Sequence, residues 1–221
     1  MLIAESRRLM IAIVDYRAGN LTSVARALQY LGVPCVITDR AEELRRADRV
    51  IFPGVGAAGE AMRNIEEKGL AGCIREIYDA GTPLLGICLG TQVIFEYSEE
   101  DNRTTCLGII PGGVKRFPEG MSEKGDPLKI PHMGWNRVAF RGNHPLFAGI
   151  PGNAEFYFVH SYYPAPSESS DVAGETDYGI RFASAVARRN LVAVQFHPEK
   201  SGRFGLKILE NFSRWDGSHA Q

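Results

Sequence analysis

The sequence predicts an α/β protein: a doubly wound, mostly parallel sheet flanked by helices, with antiparallel additions in the C-terminal half. Three observations carry this expectation. From Met10 to about Tyr97, short apolar runs alternate with stretches of helical periodicity. Runs such as "MIAIVD" and "RVIFPG" suit strands buried on both faces, the condition of a parallel sheet. Beyond about Gly108, short runs separated by turn residues replace that alternation.

Taken in order, residues 10–15 form the first strand, and Leu21, Val24, Ala25, Leu28 and Leu31 recur at helical spacing until Gly32 stops them. "PCVIT" is the second strand. A polar helix from about Ala41 leads to the third, "RVIFPG", followed by a helical region from about Ala57 and another striped by Leu70, Cys73, Ile74 and Ile77 and closed by Gly81. "PLLGI" is the fourth strand, and "LGTQVIFEY" reads as the helix after it. In the second half "GGVKRF", "NRVAF", "AEFYFVHSY" and "ASAVARRNLVAVQF" read as strands, the last a hairpin around Arg189 and Asn190. They should extend the main sheet and add a smaller one. A final helix from about Arg203 to Phe212 packs Phe204, Ile208, Leu209 and Phe212 on the core. No repeat or composition shift marks a boundary, so residues 10–221 are expected to form a single domain and residues 1–9 a flexible extension.

With 221 residues and 44% hydrophobic content, the chain has material for a substantial core. Its net charge of -1 gives no general attraction to nucleic acid or anionic lipid. The basic stretch Arg40–Arg49 interleaves with Glu42, Glu43 and Asp48 and reads as a solvated helix face. No apolar run approaches the roughly 20 residues needed to span a bilayer, and "MLIAESRRL" lacks the apolar centre of a signal peptide. The four cysteines show no C-x-x-C spacing, so neither a zinc site nor a disulfide framework is expected, and a reducing cytoplasm is the natural compartment.

One of those cysteines sits where chemistry is done. Functional groups of open parallel sheets gather beyond the carboxyl ends of the strands, and Cys88 lies there in "PLLGICLGTQ". Its strand-to-helix turn, with Gly86 and Gly90 nearby, has the form of a nucleophile elbow. The unpaired N–H groups at the start of the following helix favour a thiolate, and that of Leu89 could hold an oxyanion. "VQFHPEKSG" supplies the partners. Pro198 disfavours a helical backbone at His197, so side chains two apart should share a side, and Glu199 can fix the tautomer of His197 so that its other nitrogen faces the thiol. "FPGVGAAG" ends the third strand in a loop whose N–H groups could face Cys88, without the Lys and Ser/Thr of a phosphate-binding loop.

"PGVG", "GICLGTQ" and "QFHPEKSG" together resemble the class I glutamine amidotransferases, and the order of motifs agrees along the chain. "VDYRAGNLTSV", "PHMGWN", "YFVHSY" and "HPEKSG" narrow the resemblance, over roughly residues 10–213, to the glutaminase subunits of imidazole glycerol phosphate synthases. The resemblance implies a class I glutamine amidotransferase-like fold and hydrolysis of glutamine to glutamate and ammonia, with no cofactor or metal. Cys88 would be the nucleophile, His197 the acid and base, and Glu199 its orienter. Leu89 with Val55 or Gly56 would supply the oxyanion hole, and Gln92 with the backbone around Ser161 and Tyr162 would hold the ends of the substrate.

It also implies a separate (β/α)8 cyclase subunit, forming a heterodimer and receiving the ammonia, for histidine biosynthesis. Asn20, Met133, Trp135, Tyr157 and Lys200 match positions near that interface, and Trp135 with Lys200 could make a cation–π pair of about 0.5–2 kcal/mol. Alternatives are a glutaminase subunit serving another biosynthetic amidotransferase and a stand-alone γ-glutamyl cysteine hydrolase. The chain departs from the usual pattern at Thr91, where methionine is common, and in "AAGEAM". His144 and His219 are expected at the surface, Cys35, Cys73 and Cys106 in the core, and His132 and His160 have no role the sequence assigns.

Overall fold

The computed structural model describes residues 9–123 and 125–218. The expected extension and His219 lie outside the described residues, except Leu9, which is half-buried against the core.

The first half follows the expected alternation: β1 (Ile11–Val14), α1 (Leu21–Tyr30), β2 (Cys35–Thr38), α2 (Ala41–Arg46), β3 (Arg49–Gly54), α3 (Ala58–Glu67), α4 (Leu70–Asp79) and β4 (Leu84–Cys88). α5 spans only Leu89–Val93, and the chain then becomes β5 (Phe95–Ser98). This corrects the helix expected over "LGTQVIFEY". Ile94, Phe95 and Tyr97 are residue types that suit a pleated surface, and Phe95–Ser98 pairs on one side with β6 (Thr104–Thr105) and on the other with β7 (Ile110–Arg116).

After the small hairpin of β8 (Ser122–Glu123) and β9 (Asp126–Pro127) come β10 (His132–Arg137), β11 (Ala139–Phe140), β12 (Glu155–His160), β13 (Tyr162–Pro166), β14 (Val172–Tyr178), β15 (Ile180–Arg188) and β16 (Leu191–Val194), with α6 (Gly202–Arg214) last. The main sheet has the order β11-β14-β15-β16-β4-β3-β1-β2. Strands β2, β1, β3, β4 and β16 run parallel, and the hairpin of β15 and β16 continues the sheet antiparallel. A sheet of β13-β7-β5-β6 and a ribbon of β10 and β12 lie beside it.

Alternation along β1 sorts the core onto two faces. Ala12 and Val14 join a cluster with Leu44, Ile65 and Ile74 of α2–α4, whereas Ile11 and Ile13 join one with Val24 and Leu28 of α1 and Ile208 and Phe212 of α6. Ile208, Leu209 and Phe212 are fully buried, each contributing roughly 1.5–3 kcal/mol of transfer free energy. They anchor α6 and, with it, the loop that precedes it. The basic stretch is only partly the solvated face expected: Arg49 opens β3, is buried, and donates from Nε to the Trp215 carbonyl at 2.7 Å.

Candidate active site

Parallel pairing sets the first contact. β4 lies between β3 and β16, with Gly54 opposite Cys88 and Val194 opposite Ile87, so three strands end together at the thiol. Cys88 itself has φ 53° and ψ -107°, a conformation that costs a residue with a Cβ about 1–3 kcal/mol. The glycines do not carry this strain. A Cβ on Gly90 would fall on the Phe52 carbonyl, and one on Gly86 would come within 2.8 Å of the Ala193 Cβ. Their smallness lets the elbow sit tight on β3 and β16 while the cysteine bears the strained backbone. Thr91, fully buried, donates its hydroxyl to the Val194 carbonyl at 2.7 Å, which ties α5 to β16.

His197 follows β16 in an extended conformation. The chain then turns at once: Pro198–Lys200 is a single 3-10 turn closed by Lys200 N–H to the His197 carbonyl at 3.1 Å. The turn, rather than strand alternation, brings the Glu199 carboxylate to His197 Nδ1 at 2.7 Å. The same Glu199 Oε1 accepts from Asn20 Nδ2 at 2.6 Å, across 179 positions of chain. Ser201 Oγ donates to the His197 carbonyl at 2.6 Å and accepts from Tyr157 N–H at 2.9 Å, and His197 N–H donates to the Tyr157 carbonyl at 2.9 Å. Both side chains of the His197–Glu199 pair are fully buried. Burial opposes a proton on His197, but Cys88 and Glu199 outweigh it and raise the imidazole's pKa to about 10. His197 Nε2 has no hydrogen-bond partner within normal distance and is the ring nitrogen left for the Cys88 sulfur.

Beside the thiol lies a cavity of about 270 Å³. Val55, Gly56, Leu89, Gln92, Ser161 and Tyr162, the residues expected from sequence to hold substrate and oxyanion, all line it with Cys88. Glu100 and His160, which the sequence did not single out for this site, line it too. Glu100 Oε2 accepts Ala58 N–H at 2.7 Å and Asp101 Oδ2 accepts Gly59 N–H at 3.2 Å, so the start of α3 is satisfied by acids rather than facing Cys88. Burial raises the Glu100 pKa above the usual carboxylate range. The arrangement offers a nucleophile, a proton carrier with its orienting carboxylate, and a small cavity with polar groups in its lining: the parts of an acyl transfer site.

Comparison with known proteins agrees. The family Glutamine amidotransferase class-I matches residues 12–214. The chain belongs to the class I glutamine amidotransferases. It is 52% identical over 202 residues to imidazole glycerol phosphate synthase subunit HisH of Moorella thermoacetica, covering 91% of this chain and 93% of that one. To the subunit of the same name from Nitratidesulfovibrio vulgaris strain DP4 it is 54% identical over 207 residues, covering 93% and 96%. Among solved structures, PurLQS from Thermotoga maritima superposes with a TM-score of 0.72 at 16% identity, over 94% of this chain and 98% of that one. A glutamine amidotransferase from the same organism gives 0.63 at 16%, over 94% and 84%. At such identities these structures speak for the fold alone.

In this class I amidotransferase, the residues expected at a partner surface separate into two groups. Met133 and Trp135 are 62% and 56% exposed and face outward from β10, opposite Val159 and Tyr157 of β12. Lys200 is exposed as well. Asn20 is half-buried and spends its amide on Glu199. The Trp135–Lys200 cation–π pair is not formed: Trp135 packs edge-on against Tyr157 with centroids 6.2 Å apart, and the cation–π contacts among the described residues involve Arg103, Arg189 and Arg203. His144, expected at the surface, is half-buried between Phe147 and Trp215, its Nδ1 accepting Leu146 N–H at 3.1 Å. Cys73 and Cys106 are buried as expected, whereas Cys35 is only half-buried.

Gln195 is the site residue hardest to foresee. It is fully buried, accepts Gln92 Nε2 at Oε1 at 3.0 Å, and points its own Nε2 at Cys88 Sγ at 3.7 Å. Its signal was a polar residue inside the otherwise apolar "LVAVQF".

Proposed function

We propose that this chain is the glutaminase subunit of an imidazole glycerol phosphate synthase, releasing ammonia from glutamine for a cyclase partner in histidine biosynthesis. The observation that carries the reading is the convergence of Cys88, His197 and Glu199 beside the cavity lined by the expected substrate residues. Relatives of that name share about half of its residues along nearly the whole chain.

The chemistry follows from the geometry. Cys88 Sγ attacks the side-chain amide carbon; a C–S bond forms and the carbonyl electrons move to oxygen, where N–H groups of Leu89 and of Val55 or Gly56 receive the charge. His197, held protonated, gives its proton to the amide nitrogen, the C–N bond breaks and ammonia leaves. The neutral imidazole then takes a proton from water as the water attacks the thioester; glutamate departs and the sulfur is restored. Glu199 keeps the Nδ1 proton in place throughout. At the substrate's other end, Glu100 and Gln92 Oε1 complement an ammonium group, and the backbone at Ser161 and Tyr162 a carboxylate.

Ammonia loose in water becomes ammonium, which is no nucleophile, so the reading requires a partner placed against the site. The separate (β/α)8 cyclase subunit would form a heterodimer on the face of Met133, Trp135 and Tyr157, with Lys200 and Asn20 at its edge. An exposed apolar patch of this kind marks interaction surfaces. The reduced thiol suits the cytoplasm.

The test is a glutamate assay on the full chain co-purified with the cyclase, with and without the cyclase's nucleotide substrate. Turnover should be low for the chain alone and rise in the complex, and Cys88→Ala should abolish it while the complex still forms. Wild-type turnover in Cys88→Ala, or stimulation by a nucleotide-synthesis partner instead of the cyclase, would overturn the reading.

A further inference from the structure

We propose that Gln195 is a positioning residue for the Cys88 nucleophile, oriented through Gln92 by the Tyr162 carbonyl, which the buried histidines His132 and His160 help to hold in place. The proposal rests on the glutaminase reading for its kinetic consequence and on geometry alone for the hydrogen bonds themselves.

The direction of every link follows from one fixed point, the Tyr162 carbonyl, which can only accept. His160 Nδ1 lies 2.7 Å from it and must carry the proton. His160 Nε2 is then bare and accepts from His132 Nδ1 at 3.0 Å. That makes His132 Nε2 an acceptor as well, and Asn136 Nδ2 stands 3.3 Å away. The Asn136 amide is oriented independently, since Nδ2 donates to the Asp177 carbonyl at 2.9 Å and Oδ1 accepts Arg137 N–H at 2.8 Å. The chain closes only if both rings are neutral, because a second proton on His160 would set two N–H groups head-on. Burial favours that state, lowering the pKa of His132 to about 4 and, helped by His132, that of His160 to about 3.

The same carbonyl orients the other arm. It accepts Gln92 Nε2 at 3.2 Å, so the Gln92 amide nitrogen faces it and the second proton on that nitrogen goes to Gln195 Oε1 at 3.0 Å. With Oε1 engaged, Gln195 can present only Nε2 to the sulfur, at 3.7 Å, a separation suited to the larger atom. A flipped Gln195 would set nitrogen against nitrogen and oxygen against sulfur. Gln195 is fully buried, and Gln92, His132 and His160 are nearly so, which leaves little water to compete. A thiolate at Cys88 is therefore met by an amide donor, whose orientation is set through Gln92 at the Tyr162 carbonyl, and that carbonyl is held from its other side by a histidine pair on a separate ribbon, β10 and β12.

The experiment measures alkylation of Cys88 by iodoacetamide at neutral pH, read by mass spectrometry of its peptide, alongside glutaminase kinetics of the complex. Gln195→Leu should slow alkylation about tenfold and lower kcat by a similar factor with little change in KM, the effect of removing a hydrogen bond to a charged group. His160→Leu should act in the same direction by about threefold, the loss expected when one link of a network is cut. His160→Asn, whose Nδ2 stands where Nδ1 stood, should recover the wild-type rate. Gln195→Glu, of the same shape but with an oxygen toward the sulfur, should be at least as slow as Gln195→Leu. Wild-type alkylation in Gln195→Leu or Gln195→Glu, with native circular dichroism, would overturn the proposal, as would His160→Asn behaving like His160→Leu. If Gln195→Leu fails to fold, Gln195→Glu and the His160 pair still decide it. A wild-type complex that makes no glutamate would sink the glutaminase reading and leave the alkylation result standing on its own.

Discussion

Buried histidines lie in two places around the Cys88 site, and their pKa values are shifted in opposite directions. His197 is carried up to about 10, whereas His132 and His160 are pushed down to about 4 and 3. Burial works against the proton in all three. The partners make the difference: His197 Nδ1 meets the Glu199 carboxylate and its ring lies by Cys88, while His160 meets a carbonyl and another imidazole. A single carboxylate, delivered by a turn of three residues, helps set the direction in which His197 is shifted.

The most severe way to break this contrast is Glu199→Gln. The amide keeps the shape but not the charge, and kcat should fall by on the order of 10²–10⁴. Steady-state glutaminase assays of the complex would show it, and retention of more than a tenth of the activity would count against the role given to Glu199.

A smaller effect separates the two sets by the sign of their pH dependence. His132 and His160 stay neutral in the fold well below 6.5, where the unfolded chain already takes up protons. Their contribution is therefore complete above about 6.5 and lost as the pH falls toward 4 and 3. His197 has its folded pKa raised, so its contribution is complete below about 6.5 and lost as the pH rises through about 10. Urea unfolding across pH should show a maximum near neutrality. The double variant His132→Asn with His160→Asn should flatten the acid side, and His197→Asn the alkaline side; an unchanged acid side in the double variant would contradict the assignment.

The smallest expected effect is that of Asn20→Ala. It removes one of the two N–H groups on Glu199 Oε1 while leaving the His197 contact. A kcat loss of about threefold, in line with one charged hydrogen bond partly replaced by water, is expected from the same assay.

How much of this could be read from the chain depends on how local each relation is. The parallel half was legible because each strand and helix carries its own period and stop signal, from "MIAIVD" to Gly81. Cys88, His197 and Glu199 were legible because an elbow and a three-residue turn are local, although strand alternation was the wrong reason for the His197–Glu199 contact. The break at Phe95 was not, since only pairing with Ile110 and Gly113 tells β5 from a longer helix. The histidine pair was invisible for the same kind of reason: His132 and His160 meet through the register of β10 against β12, 28 positions apart. Thr91, unreadable beside the nucleophile, turns out to bind a carbonyl 103 positions away.

The central claim is that glutamine binds with its amide against Cys88. Its most direct test is labelling of the cyclase complex with a glutamine analogue whose side-chain amide is replaced by a chloromethyl ketone, followed by peptide mass spectrometry. The account predicts one stoichiometric adduct, on Cys88, prevented by excess glutamine and absent in Cys88→Ala; an adduct on Cys35 instead, or labelling of Cys88 that glutamine does not slow, would contradict it.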